Sequence, residues 1–465
     1  MLGALAARNG EVVTKDELTN AAWAGRAVSD DSLVQCIKDI RAVLDDTERR
    51  VVRTAVGRGY SLHGVSHFAP GSDRRPRIIV SRLRADEQEP MLVEMAEIIA
   101  EELVLALSPR AGFEVATGSE QPDETDYILE GRARKSGQEV RVFVQAVKGR
   151  SGEVAFAETW ETSIDMVDAL PKQIGEKIAS LLRIHLFNHA GAAFIDVRND
   201  ALTTHELMAK AAYHMSRIQM ENRDAARDAL SLAIEREPSN AVALAMRAST
   251  AVLLVLQEGV AKIPDTRDFL MNLGNRAVGI APQVDFVMLS RGTLRLWLDH
   301  DHAGARDDFA RSLQINPVFH LGLQFLGTSE ILCGDHRAGI ARIEKVIELG
   351  TASNPRYPHY LTLVALGHLV DRDFGTAVAV SAKALDLAPN DPWCGYVHAA
   401  AAADRPDILD TKRFQCMMDA NELPFSHYRD LPFTDIAVVE MLESRLASAG
   451  YPRAAKSGEA IAADT

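Results

Sequence analysis

Residues 28–62 read VSDDSLVQCIKDIRAVLDDTERRVVRTAVGRGYSL. Ser29 is a helix N-cap residue, because its hydroxyl can accept from an amide of the first turn. Behind it, Leu33, Ile37, Ile40 and Leu44 recur at helical spacing and form one apolar stripe. The opposite face carries Asp31, Gln35, Lys38 and Ala42, and Asp45-Asp46 ends the helix. Val51–Val56 then reads as a strand, Gly57-Arg58-Gly59 as a tight turn and Tyr60-Ser61-Leu62 as the returning strand of a hairpin. Upstream, Thr14-Lys15-Asp16-Glu17 fits a capping box. The helix it starts carries Leu18, Ala21, Ala22 and Trp23 and stops near Gly25.

Helix, turn, helix and a Gly-Arg-Gly hairpin are the layout of a winged helix. The pieces VVTKDEL, AAWAG, VSDDSLVQCIKDIRAVLDD and RVVRTAVGRGYSL resemble the C-terminal effector domains of OmpR-type regulators. The resemblance implies that Asp30–Leu44 is a recognition helix lying in the major groove of double-stranded DNA. The DNA-facing residues it implies are Ser32, Gln35, Lys38 and Arg41 on that helix, and Arg53, Thr54, Arg58 and Tyr60 on the wing. Gln35 suits adenine, and Lys38 suits guanine or phosphate. Arg58 suits the backbone or minor groove, with Arg53 as phosphate-directed support.

Residues 1–66 hold nine basic and nine acidic residues, so affinity depends on local clustering around Arg49, Arg50, Arg53 and Arg58. Met1–Ala6 reads as the end of a first helix, whereas OmpR-type domains begin with a small sheet and a full first helix. The expectation is a domain without its first strands, either shortened or continued upstream.

Further outward, the chain has 465 residues, 47% hydrophobic and 25% charged, with a net charge of -14. That balance is ordinary for a globular protein and excludes one that coats nucleic acid along its whole length. Cys36, Cys333, Cys394 and Cys416 lack CxxC spacing, so reduced thiols in a cytoplasmic protein are expected, with no metal. The apolar runs near 241–256 and 393–403 are interrupted or too short to span a bilayer, so no membrane partner is expected.

Residues 67–76, HFAPGSDRRP, read as a linker. From 77 to 187 strands and helices alternate. Strands are predicted at 76–83, 113–116, 126–134, 139–147 and 154–160. Helices are predicted at 91–107, with Leu92, Met95, Ile98, Ile99, Leu103 and Leu107 apolar, and at 165–186. The pieces DYILEGRARKSGQEVRVFVQAV and AFAETWE resemble the small α/β domain related to the amino-terminal part of TolB. Glu94, Glu97, Glu101 and Glu102 read as a solvated helix face. No GxGxxG, GxxxxGK[ST] or GxSxG motif occurs, so no catalytic residues and no cofactor are expected.

From about 200 to 450 the pattern is helical, and prolines punctuate it. Pro238, Pro282, Pro317, Pro355 and Pro389 lie 44, 35, 38 and 34 residues apart. The later intervals approach the tetratricopeptide (TPR) period. Ala226, Ala305 and Ala377 each precede such a proline by twelve residues, and Leu230, Phe309 and Ser381 follow four residues later. Small residues let paired helices approach, and apolar ones fill the groove between them. The expectation is about five degenerate repeats, with an insertion near 259–268. Trp297 and Trp393 read as core aromatics. The histidines are scattered: His300-Asp301-His302 falls in the turn between two repeat helices, with a metal site there as the disfavoured alternative, and His359-Tyr360 and Tyr357 read as packing or capping residues.

The expected fold is therefore multidomain. A winged helix at 1–66 precedes an α/β domain at 77–187, an all-α TPR-like solenoid at 200–450 and a tail at 451–465. The expected function is DNA-binding transcriptional regulation. The partners implied are double-stranded DNA, RNA polymerase or another protein through the repeats, and a second copy of the chain. The alternative is a TPR adaptor whose winged helix no longer binds DNA.

Overall fold

The computed structural model describes residues 5, 12–23, 30–43, 46, 51–55, 57–62, 77–86, 88–107, 113–118, 122–123, 126–189, 191–216, 220–251, 265–350, 354–405, 407–409 and 431–450. The predicted linker at 67–76, the tail at 451–465, Ser29, Arg49, Arg50, Cys416 and most of the predicted insertion lie outside those residues. Two compact units emerge, Met1–Ser72 and Asp73–Thr465.

The first unit is a winged helix. Strand β1 (Val13–Thr14) leads into α1 (Lys15–Trp23), followed by α2 (Asp30–Val43), β2 (Val52–Ala55) and β3 (Gly59–Leu62). The sheet order is β1-β3-β2, antiparallel throughout. The capping box is present. Thr14 N and Oγ1 both donate to the Glu17 carboxylate, at 2.9 and 2.7 Å, and Glu17 N donates back to Thr14 Oγ1 at 3.3 Å. Leu5, Val13, Leu18, Leu33, Ile37, Val52, Tyr60 and Leu62 make the core, with Ile40 partly buried beside it.

The second unit opens with a mixed sheet, β5-β4-β6-β7-β8 in spatial order. Its strands are β4 (Arg77–Val80), β5 (Glu114–Thr117), β6 (Tyr127–Ser136), β7 (Glu139–Lys148) and β8 (Glu153–Ser163). β4 pairs parallel with β5 and β6, and β6 to β8 form an antiparallel meander. Helices α3 (Pro90–Leu107) and α4 (Leu170–His189) cover one face. α4 starts later than predicted, because 164–169 form a tighter 3-10 turn. Pro171 sits in its first turn, where a missing amide costs nothing. Ile98, predicted on the apolar stripe of α3, is 40% exposed. Leu92, Met95, Ala96, Ile99, Leu103 and Leu107 repeat at three- and four-residue steps, and Ile98 falls outside that arc.

The remainder is an array of helix pairs. Among the described residues they are α5 (Thr204–Met215) with α6 (Met220–Arg236), α7 (Ala241–Thr250) with α8 (Arg267–Ile280), and α9 (Asp285–Leu298) with α10 (His302–Ile315). Then come α11 (His320–Leu332) with α12 (His336–Leu349), α13 (Tyr357–Val370) with α14 (Phe374–Leu387), and α15 (Pro392–Ala401) with α16 (Ile436–Ser448). Each punctuating proline lies between one pair and the next, so the five prolines separate six pairs among the described residues, where about five repeats were expected. This is the TPR-like layout: one pair cannot bury its apolar stripe alone, and stacking neighbours does it.

Ala226, Ala305, Ala377, Leu230, Phe309 and Ser381 are all fully buried. In α12 the fourth residue, which in α10 and α14 is Ala305 and Ala377, is Gly339. There a Cβ would run into the Gly327 carbonyl of α11, so only glycine permits so close a crossing. Trp297 and Trp393 are core residues, as read from the sequence.

Candidate nucleic-acid interface

The local chemistry of the first unit separates residues that build the winged helix from residues it presents. α2 buries Leu33 and Ile37 against the sheet and turns Gln35, Lys38 and Asp39 outward. Lys38 is exposed and has no hydrogen-bond or ion-pair partner among the described residues. Gln35 Nε2 donates to Asp39 Oδ1 at 2.8 Å, one helical turn on. Its oxygen remains an acceptor, but its amide donor is committed and a carboxylate sits beside it. Ser32 is half-buried on the same helix.

Arg41 behaves differently. Its guanidinium donates to the Val52 carbonyl from Nε and Nη2, at 3.1 and 2.7 Å, and to Thr54 Oγ1 at 3.0 Å. Asp46, 6% exposed, works beside it, accepting from the amides of Val51 and Val52 at 3.1 and 2.7 Å. Together they fasten strand β2 to the end of α2. Arg41 and Thr54 are thus engaged with each other inside the domain. The sequence pattern offered no sign of this, since the partners are eleven and thirteen residues apart.

On the wing, Arg53 and Thr54 are exposed on β2 and Arg58 is exposed at the turn. Gly57 takes φ 73, the left-handed region where glycine is favoured. Gly59 has no room for a Cβ, which would strike the Val13 carbonyl across the sheet. Tyr60 corrects an expectation. It was implied as a DNA-facing residue, but β3 is the central strand and Tyr60 is 7% exposed within the domain core. Gln35, Lys38, Arg53 and Arg58 therefore remain as outward-facing groups that can meet phosphates or base edges, with Ser32 partly so.

Among the described residues, no group of three or more His, Cys, Asp or Glu is placed to hold a metal ion. No described helix is long and apolar enough to cross a membrane.

This arrangement defines a winged helix of the OmpR type. Residues 1–62 match the family described as transcriptional regulatory protein, C terminal. No curated protein matches the chain. Solved structures similar to it include a thermophilic TPR protein from Thermus thermophilus, 19% identical over 39% of this chain and 91% of that one, with a TM-score of 0.32. A TPR protein from Parabacteroides merdae is 14% identical over 52% of this chain and 98% of that one, TM-score 0.31. YrrB, a TPR protein with an unusual peptide-binding site, is 14% identical over 46% of this chain and 97% of that one, TM-score 0.27.

Proposed function

We propose that this chain is a cytoplasmic DNA-binding transcriptional regulator. The winged helix reads double-stranded DNA, and the second unit meets the signal or protein partner that governs it. The observation that carries the reading is the division of labour within the first unit. Arg41 and Asp46 are spent on holding the wing, whereas Lys38 and Arg58 stand exposed, with no carboxylate partner among the described residues, on the two elements that enter DNA in this fold. α2 is the major-groove element, with Lys38 and the Gln35 oxygen toward base edges. Arg58 and Arg53 meet phosphates or the minor groove. No catalytic role is assigned to any residue. The array supplies the face for a protein, RNA polymerase being one candidate, and a second copy of the chain would place two recognition helices on tandem half-sites.

The test is fluorescence anisotropy of the full chain against randomised duplex pools at two salt concentrations. Salt-sensitive binding is expected. The variant carrying both Lys38→Ala and Arg58→Ala should lose affinity by about 1–3 kcal/mol per lost base contact. Its salt slope should fall by about one unit for each lost phosphate contact. Unchanged binding by the double variant would remove these residues from the interface, and no binding by the parent would leave the adaptor reading in its place.

Asp39 yields a second expectation with the opposite sign. Its carboxylate lies on the outward face of α2 and holds the Gln35 amide. Asp39→Asn removes a charge that repels phosphate and leaves the helix intact. Affinity in the same assay should rise, on the order of threefold at low salt, and the gain should shrink as salt increases. Weaker binding by Asp39→Asn would mean that its hold on Gln35 is what the DNA requires.

A further inference from the structure

Where α4 leaves the sheet and meets the array, buried cations outnumber the carboxylates that accompany them among the described residues. Arg183 on α4 donates from Nη1 to Asp285 Oδ2 at 2.8 Å, and its guanidinium lies 5.5 Å from the Phe319 ring centre. Asp285 also accepts from Asn316 Nδ2 at 2.7 Å and from the Phe286 amide at 2.8 Å, so its capacity is largely used. Arg356, 6% exposed, donates from Nη2 to the Met215 carbonyl at 3.2 Å, and its Nε has no partner.

His320 is 4% exposed with Nδ1 unpartnered. Both guanidinium groups bear on it electrostatically, with Asp285 opposing. Gln324, 2% exposed, has its Oε1 unpartnered and its Nε2 3.3 Å from His359 Nε2. Burial first, and Arg356 next, push His320 and His359 each down to about 3, so both imidazoles are neutral near pH 7. Among the described residues, two guanidinium charges therefore face one carboxylate.

The backbone adds to the imbalance. α11 begins here, at His320, without a side-chain bond from its N-cap residue Phe319, whereas at the start of α9 the Phe286 amide is taken by Asp285 and at the start of α13 the Arg356 amide is taken by Asn354 Oδ1 and Pro358 has no N–H. By contrast, Asn240, Thr266, Asp301, Asp373 and Asp391 cap α7, α8, α10, α14 and α15. Uncapped N-termini present free amides and the positive end of the helix dipole. A buried guanidinium without a counter-charge is costly, and an uncapped helix start is where an anion is stabilised.

We propose that this junction of α4, α11 and α13 binds a small oxyanion, a carboxylate or phosphate group, held by Arg356 with His320 and the start of α11. Arg183, 12% exposed, is the edge of the site nearest solvent. The anion supplies the missing negative charge, and its oxygens accept from Arg356 Nε. This gives a chemical class to the signal in the regulator reading. It resides wholly in the second unit, so its failure and the failure of DNA binding are read by separate assays.

The test is calorimetric titration of the full chain with sodium phosphate and with sodium acetate, against sodium chloride at matched ionic strength, together with thermal melts in the same salts. One saturable site per chain is expected, with a raised melting temperature in the binding anion. Arg356→Gln should weaken binding at least about tenfold, and Arg356→Lys, which keeps the charge, by less. Saturation by phosphate alone assigns a phosphate group, by acetate alone a carboxylate, and by both a general oxyanion site. The proposal is overturned if neither anion saturates the parent protein, a result that needs no variant to fold. It is equally overturned if Arg356→Gln binds as the parent does.

Discussion

Replacing Asp126 by alanine is expected to destabilise the second unit by about 3 kcal/mol, the lower end of what breaking a buried ion pair costs. Asp126 is fully buried at the entrance to β6. Its carboxylate accepts from the Arg77 amide at 3.0 Å, from Arg77 Nε and Nη2 at 3.2 and 2.9 Å, and from the Asp123 amide at 2.9 Å. One side chain thus ties the start of β4, which lies between β5 and β6, to the turn that launches β6. Alanine removes the acceptor and leaves Arg77, 14% exposed, to find water at the end of its strand, which is why the lower figure applies. Urea unfolding of the two proteins measures the difference. A loss under about 1 kcal/mol would mean the pair is incidental, as exposed pairs usually are.

The same carboxylate sets a pH dependence. Burial pushes its pKa up, but the Arg77 hydrogen bond and the two backbone amides outweigh that and hold it below its ordinary 3.8. A group depressed in the folded state contributes stability above its unfolded value and loses it as pH falls through the folded one. The parent should therefore keep this contribution at neutral pH and shed it below about pH 3.8. Asp126→Asn should lack that acid-limb component. Parallel acid unfolding curves for the two proteins would argue against it.

What could be read from sequence was whatever repeats locally or speaks to its near neighbours. Thr14 and Glu17 lie three residues apart, and their reciprocal bonds are visible as a pattern. The stripe of Leu33 and Ile37, the Gly57-Arg58-Gly59 turn and the prolines between helix pairs are equally local. Ala305 and Ala377 were legible because repetition places them alike, and Gly339 escaped only because its repeat uses a smaller residue.

What sequence could not show depends on partners far along the chain. Tyr60 reads as an outward wing residue until β1 pairs with β3 and makes its strand the central one. Arg41 reads as one more cation on a recognition helix until Val52 and Thr54 return beneath it. Arg183 and Asp285 are 102 residues apart, and no periodicity predicts that α4 brings them together. The surplus charge at Arg356 is likewise a property of packing.

Phe309→Ala should damage the array severely, costing about 3–5 kcal/mol. The ring is fully buried on α10 and stacks on Phe325 of α11, with centroids 6.1 Å apart and planes at 28°. Gly292 of α9 packs against the same ring, and a Cβ there would come within 2.7 Å of it. One side chain therefore bridges the two helices of its own pair and the next pair. In a stacked array each pair is stabilised by its neighbours, so a loss at this joint weakens the coupling as well as the local core. The thermal transition of the variant should fall in midpoint and also broaden or split, since helix pairs on the two sides of the joint no longer unfold together. Leu387→Ala, at a site 52% exposed on α14, is the matched control and should move stability by no more than about 0.5 kcal/mol. A single sharp transition at a lowered midpoint would show that the array holds together without this ring, through the α9–α11 and α11–α13 contacts that bypass it.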